Sequence, residues 1–556
     1  MSKPAPAPDN FPITWDDPAD AQLSFRQDRQ HAPTPITPLT GWLGQHYWSK
    51  GATSGLAAMG QSRIMLVRRI NCYYYHGSAP STSTDQSDDT AKKAESTLDA
   101  ALDVFVERWD GEWLPEIQGY HEKWNGFDLN SASDPALLEH LNWTLDTFAR
   151  LWEIHFQIMM TARMGPSLLM ELRADLVGDN DSIDNYKITQ GVDNCSLQSG
   201  EDLWKLSQSV AESDVTKSIL TGTPTSEVMA TLENTAEGQR LIDGINTYLK
   251  SWGNRSDTVI EIGDPSWVEE PAILIDILKG YVQSDSENPR IRWKELVSER
   301  ESAVEEILRQ IAMYPEPVRN RFDTLVYAGQ QGHRIQEDHN WWIDQQGNHQ
   351  VRQVFREFGA RLKSSGAISA QNDVFMLLGD EIIESAQNLF TTNFKSVITE
   401  RRNEMEMWGK IAPPSTIGSK PKQAPDTIFS RAIGRLQGIT HSQESSQGTP
   451  SGTLLGTSGS AGKIAGTARV IIKLKDAGRL KKGEILVTAT TSPPWTPLFA
   501  TAGGIVADTG GALSHCAIVA REYGIPATVG VRGATSTIKD GDQIEVDGDA
   551  GTVRIL

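Results

Sequence analysis

Residues Thr509–Gly530 read TGGALSHCAIVAREYGIPATVG, and this stretch decides the C-terminal architecture. It follows GIVAD (Gly504–Asp508), a short apolar run of strand composition, and opens on a glycine pair that permits a tight turn with positive φ. SHCAIVAREYG then reads as a helix stopped at Gly524. His515 is therefore expected in the first helical turn, where free N–H groups and the macrodipole favour negative charge. Such a place is poor for a protonated imidazole and good for a phosphoryl group held on a neutral one. Thr509, Gly510 and Gly511 form the turn and leave room for close approach, and Ser514 either caps the helix or donates to the phosphate. On spacing alone a second reading stands: His515 only caps a helix, because no ionisable group flanks it in the sequence as in a triad.

Outward from this stretch the texture is short β runs separated by turns. They are ARVII (Ala468–Ile472), EILVT (Glu484–Thr488), QIEVD (Gln543–Asp547) and TVRIL (Thr552–Leu556). With GIVAD and one or two helices they make a small, β-rich α/β domain, expected over 459–556. Before it, THSQESSQGTPSGTLLGTSGS (Thr440–Ser460) has the Ser/Gly/Thr composition of a flexible linker, placed at 441–458. Residues 1–440 have a helical period. Leu138, Leu141, Leu145, Phe148, Trp152, His155 and Met159 form one stripe, and Val304, Ile307, Leu308 and Ile311 another that Pro315 and Pro317 are expected to end. Two polar tracts, Gly77–Ser96 and Ala412–Thr427, read as exposed loops. The predicted fold class is multidomain, mainly α followed by the small α/β domain.

The chain has 556 residues, enough for several domains, and a net charge of -20. Residues Leu455–Leu556 hold 11 Lys+Arg against 9 Asp+Glu, so the acidity sits in the preceding body. An acidic surface argues against nucleic acid as a partner. Cys72, Cys195 and Cys516 form neither a disulfide framework nor a CxxC site, which suggests a reducing compartment. MSKPAPAPDNFPITW has no apolar core of a signal peptide, and no run reaches spanning length, so a cytoplasmic protein without a membrane partner is expected.

GGALSHCAIVAREYGIPATVG resembles the phosphohistidine swivelling domain of the phosphoenolpyruvate-utilising enzymes. GSAGKIAGTARVI (Gly459–Ile471) and GEILVTATTSPPWTPLFATAGGIVADTGG (Gly483–Gly511) continue the likeness, which covers nearly all of the last hundred residues. The resemblance implies that His515 is a phosphoryl carrier. Ala512-Leu513 stands where the pyruvate-processing members have Arg-Thr, and this is more like the rifampin phosphotransferase branch. FPITWDDPADAQLSFRQDRQHAPTPITPL (Phe11–Leu39) and RIQEDHNWWIDQQGNHQVRQVFREFGARL (Arg334–Leu362) resemble, more loosely, the largely helical acceptor domain of that group.

An acceptor hydroxyl needs a base, an apolar slot and cations against the moving phosphoryl charge. Arg334, Glu337 and Asp338 share a helix face, with His339 adjoining; the alternative is a solvated charged face. Arg352 and Arg356, and Arg26, Arg29 and His31, are further candidates, each equally open to an ion-pair role. His155 reads as a core or pocket-wall residue, and CYYYHG (Cys72–Gly77) as packing, with aromatic walls of a site the alternative. No ATP-grasp module and no metal cluster are legible. GTSGSAGKI (Gly456–Ile464) has the wrong glycine spacing for a P-loop, and Ile464 replaces its Ser/Thr. The resemblance then implies one subunit of a split phosphotransferase, similar to the phenylphosphate and p-cresol phosphate synthases. A separate ATP-grasp partner, holding Mg²⁺ or Mn²⁺ with ATP, would charge His515, and a small phenol would receive the phosphate. A hydroxylated antibiotic as acceptor, a carrier fed from phosphoenolpyruvate and a purely regulatory phosphoprotein are the alternatives.

Overall fold

The apolar stripe from Leu138 to Met159 lies in one long helix, Asp134–Val177, which buries Leu141, Leu145, Phe148 and Trp152. The computed structural model that shows this describes residues 7–8, 11–80, 96–178, 183–284, 288–388, 390–420, 431 and 452–556. Contacts divide the chain into two compact units. Residues 1–161, 258–264 and 342–424 form the first, and residues 162–257, 265–341 and 425–556 the second. The chain is mostly helical, with a β-containing C-terminal domain, as its periodicity predicts.

In the first unit the helices are joined by a sheet that the sequence did not reveal. Strands β1 (Ser24–Gln27), β2 (Arg63–Ile70), β3 (Tyr73–Pro80) and β4 (Thr416–Gly418) pair antiparallel in the order β2-β3-β1-β4. β2 and β3 form a hairpin whose two turn residues, Asn71 and Cys72, both take positive φ, a conformation usually marked by Asn-Gly. The burial of β2 does not alternate strictly, so period-two reading missed it. Gly77–Pro80 and Thr416–Gly418 are thus strands and not loops as the polar tracts suggested; residues 81–95 and 421–427 lie outside the described residues. A buried carboxylate organises the neighbouring helix start. Glu261 accepts from Thr37 N (2.6 Å), Thr37 Oγ1 (2.8 Å) and Thr40 Oγ1 (2.7 Å).

In the second unit the helix expected to end at Pro315 runs from Pro289 to Gln310. Pro315 instead caps the start of the next helix, Glu316–His339, with Pro317 in its first turn, where a missing N–H costs nothing. This helix carries Glu337 near its C-terminal end. The C-terminal sheet has eight strands: β5 (Thr453–Leu455), β6 (Thr457–Ser460), β7 (Lys463–Val470), β8 (Ile485–Thr488), β9 (Gly504–Ala507), β10 (Ala527–Val529), β11 (Gln543–Asp547) and β12 (Thr552–Ile555). Their order is β5-β12-β11-β7-β8-β9-β10-β6. β7 through β10 are parallel neighbours, and every residue of β8, β9 and β10 is buried, the pattern of a parallel sheet covered on both faces. The sheet begins ahead of the 459 boundary read from composition, and 441–451 lies outside the described residues.

Ala468, Ile485, Val487, Val506, Ile544 and Val546 share one apolar core in this sheet. Ile485→Ala should destabilise the C-terminal domain by about 2–5 kcal/mol, the cost of lost burial plus a cavity. Chemical denaturation followed by limited proteolysis of that domain would measure it.

Candidate functional site

β9 ends at Ala507, and the chain turns through Thr509–Leu513 into the helix His515–Tyr523 before returning as β10. The site therefore sits beyond the carboxyl end of a central parallel strand, where such sheets place ligands. Gly510 takes φ +101°, and a Cβ there would lie 2.8 Å from Ser514 Oγ, so the turn needs glycine. Ser514 caps the helix by accepting from Ala517 N at 3.5 Å, and Gly524 closes it in the left-handed conformation. Thr509 Oγ1 donates to Ala489 O at 3.1 Å, and Ser514 N donates to Gly511 O at 2.9 Å. These residues shape the loop around His515.

The second ionisable group, absent from the neighbouring sequence, comes from 178 positions away in the chain. His515 Nδ1 lies 3.0 Å from Glu337 Oε1 and 3.1 Å from Oε2, both side chains being buried. A carboxylate can only accept here, so Nδ1 carries a proton, and in the neutral ring the lone pair is then on Nε2. Thr496 Oγ1 lies 3.4 Å from Nε2. Glu337 also accepts from Ser196 Oγ at 2.6 Å, and its neighbour Asp338 accepts from Cys195 N at 2.9 Å. Both carboxylates thus meet the N-terminal turn of the helix Cys195–Ala211, whose dipole favours negative charge.

The two acids differ in protonation. Burial pushes Glu337 up, but the facing imidazole of His515 and the Ser196 hydroxyl together hold it below the usual glutamate value. Asp338 is pushed up to about 6, because burial outweighs the Cys195 bonds and the nearby Arg334 charge. His339 Nδ1 bonds Ile335 O at 3.0 Å within its own helix. Of the four candidates on RIQEDHNWW, Glu337 bonds His515 directly, and Asp338 ties the same helix to Cys195 beside it.

The remaining candidates belong to the first unit. Arg352 is buried, donates to Ile262 O at 2.7 Å and lies 4.5 Å from the Phe375 ring centroid, which makes it a structural tie. Arg356 donates to Gln353 Oε1 at 3.4 Å. Arg26 and Arg29 are exposed, and His31 Nδ1 pairs with Asp28 Oδ2 at 2.9 Å. His155 Nδ1 pairs with Asp344 Oδ1 at 2.9 Å beside Trp152. This unit also holds a small recess lined by Trp48, Tyr74, Phe148, Trp152, Ile260 and Asn348, among others. Trp48 Nε1 and Tyr74 OH are buried there without partners. Tyr74, read as packing within CYYYHG, is therefore a pocket wall. Thr496 stands in the recognised PPWTPLF stretch, but nothing in its spacing assigned it a role; Ser196 carries no sequence signal at all.

Residues 480–551 match the family description PEP-utilising enzyme, mobile domain, and residues 155–335 match rifampicin phosphotransferase fourth domain. His515 lies in the first segment and Ser196 in the second, while Glu337 follows the second by two positions. Chondramide synthase of Chondromyces crocatus is 32% identical over 99% of this chain, which covers 14% of that protein. An uncharacterised phosphotransferase of Bacillus subtilis is 28% identical over 73% of this chain and 47% of its own length. Rifampicin phosphotransferase of Bacillus cereus is 27% identical over 57% of this chain and 35% of its own. The chain thus spans less than half the length of each of these relatives. It carries a mobile domain of the PEP-utilising type together with a segment of the rifampicin phosphotransferase type.

Two outcomes test the geometry. Between about pH 4, the ordinary aspartate value, and about 6, the native Asp338 holds a proton that the unfolded chain has released. Its contribution is therefore complete below that window and lost as pH rises through it. Asp338→Asn should flatten this fall, read as melting temperature against pH. Glu337→Gln should lower melting at neutral pH, because a carboxylate held below its usual value stabilises the fold while ionised, and should free the imidazole to take the other tautomer. Phosphorylation of His515 should slow by roughly 100-fold in that variant, measured by intact mass over time.

Proposed function

We propose that His515 receives a phosphoryl group on Nε2 and passes it to the hydroxyl of a small organic acceptor. The observation that carries this reading is the Glu337–His515 Nδ1 contact, which in the neutral ring puts the lone pair on Nε2, at a helix N-terminus beside Thr496. Nε2 attacks phosphorus and a P–O bond of the donor breaks. With Nδ1 still protonated, the imidazole later departs as a neutral leaving group when the acceptor oxygen attacks, the hydroxyl's proton passing to solvent as the O–P bond forms and the P–Nε2 bond breaks. Glu337 offsets the positive charge that the ring carries while phosphorylated, and covalent relay divides one transfer between two sites.

An ATP-grasp module, supplied as a separate partner, is the proposed donor site. It would convert ATP to AMP and phosphate, with Mg²⁺ or Mn²⁺ accompanying the nucleotide there. The acceptor we favour is a phenol such as p-cresol or phenol, giving an aryl phosphate. The aromatic lining of the first unit's recess, with Trp48, Tyr74, Phe148 and Trp152, supports an aromatic acceptor. A second reading, an antibiotic hydroxyl as acceptor, is favoured by the names of the rifampicin phosphotransferase relatives.

Labelling with [β-³²P]- and [γ-³²P]ATP in the presence of an ATP-grasp partner tests the reading. Acid-labile label from the β position should appear on the wild type, be absent from His515→Ala and be chased by p-cresol. Chase by a rifamycin and not by phenols would select the second acceptor. Wild-type turnover in His515→Ala would sink the relay altogether.

A further inference from the structure

Arg255 is 1% exposed and makes no ion pair among the described residues. Its guanidinium carbon lies 5.4 Å from the ring centroid of Trp252, 6.0 Å from Trp267 and 5.3 Å from Trp341. NH1 donates to Pro493 O at 3.1 Å, while the buried Nε–H has no partner. A buried cation with an idle donor and no carboxylate is costly, and stacked indoles offset only part of that cost. Such a group is poised for an anion that arrives.

The surroundings say where the anion would come from. Pro493 opens the short turn Pro493–Trp495, and the next residue is Thr496, whose hydroxyl faces His515 Nε2. The same loop holds a buried hydroxyl without a partner, Ser492 Oγ. Arg255 also lies within electrostatic range of Glu337. The guanidinium, the orphan hydroxyl and the nucleophilic nitrogen thus converge on one loop of the second unit.

We infer that Arg255 is the phosphoryl-binding cation of the His515 site, its fork taking the oxygens of the group carried on Nε2. This rests on the carrier reading above. The arginine meets charge that is present only when phosphate is, so its idle donor in the unphosphorylated site is accounted for. Pro493 O holds the guanidinium in place meanwhile, and the indole cage fixes its plane.

Potassium phosphoramidate isolates this step from any ATP-grasp partner. Its P–N bond breaks, ammonia leaves, the P–Nε2 bond forms, and Nδ1 keeps its proton against Glu337. Intact-mass kinetics would compare wild type, Arg255→Met and Arg255→Lys, with His515→Ala as the blank. Arg255→Met, of similar length and uncharged, should label roughly 100-fold more slowly and lose the thermal stabilisation that inorganic phosphate gives the wild type. Arg255→Lys should fall between, because it keeps the charge and loses the fork. A folded Arg255→Met that labels at the wild-type rate overturns the inference. If that variant does not fold, Arg255→Lys decides: labelling and phosphate response equal to wild type overturn it, and a loss in both supports it. A wild type that takes no label at all removes the carrier reading itself, which is a different failure from an indifferent Arg255.

Discussion

One contact sets the chemical state of everything around it, the bond between His515 Nδ1 and Glu337. An imidazole alone exchanges its proton between two nitrogens, and half of its tautomers present the wrong atom to an electrophile. A buried carboxylate on Nδ1 removes that ambiguity. The carboxylate in turn needs a reason to stay ionised away from water. Ser196 and the N-terminal turn of Cys195–Ala211 supply one, and the imidazole supplies another. The site is thus built from two helix N-termini facing each other's charge: one under His515, one under Glu337.

The scaffold makes this geometry stiff. β8, β9 and β10 are parallel and fully buried, so the turn after β9 hangs from a rigid edge. Gly510 approaches Gly530 closely in the same region: a Cβ on Gly530 would lie 2.7 Å from Gly510 O. Arg521, on the last turn of the His515 helix, donates to Gly459 O and Ala512 O at 3.0 and 2.7 Å and ties that turn to the sheet. Only the Nε2 side of the ring is left for chemistry, and Thr496 and the loop from Ser492 border it.

The first unit applies the same economy to a different end. Glu261 gathers donors from Thr37 and Thr40, and Arg352 reaches Ile262 O from the helix Gln346–Ser364. Between these ties lies the aromatic recess with the idle Trp48 and Tyr74 donors. Buried donors without partners cost free energy unless something occupies the space they face.

The C-terminal domain was legible because its signals are local. Strand runs, the TGG turn, the Ser514 cap and the Gly524 stop each depend on residues within a few positions of one another. His515 at a helix start follows from them directly. The β2–β3 hairpin was not legible, since Asn71-Cys72 makes a positive-φ turn without the usual glycine. RIQEDHNWW offered four polar candidates on one turn or so of helix, and periodicity cannot say which faces a distant histidine. That choice was made by packing: it turned Glu337 to His515 and Asp338 to Cys195. Arg255 was hidden for the same reason. A charge in a sequence carries no mark of burial, and only the assembled indole cage takes this one out of water. Sequence determined the histidine and the local turn that presents it; tertiary structure decided which long-range charges surround it, because electrostatic partners are set by distance in space.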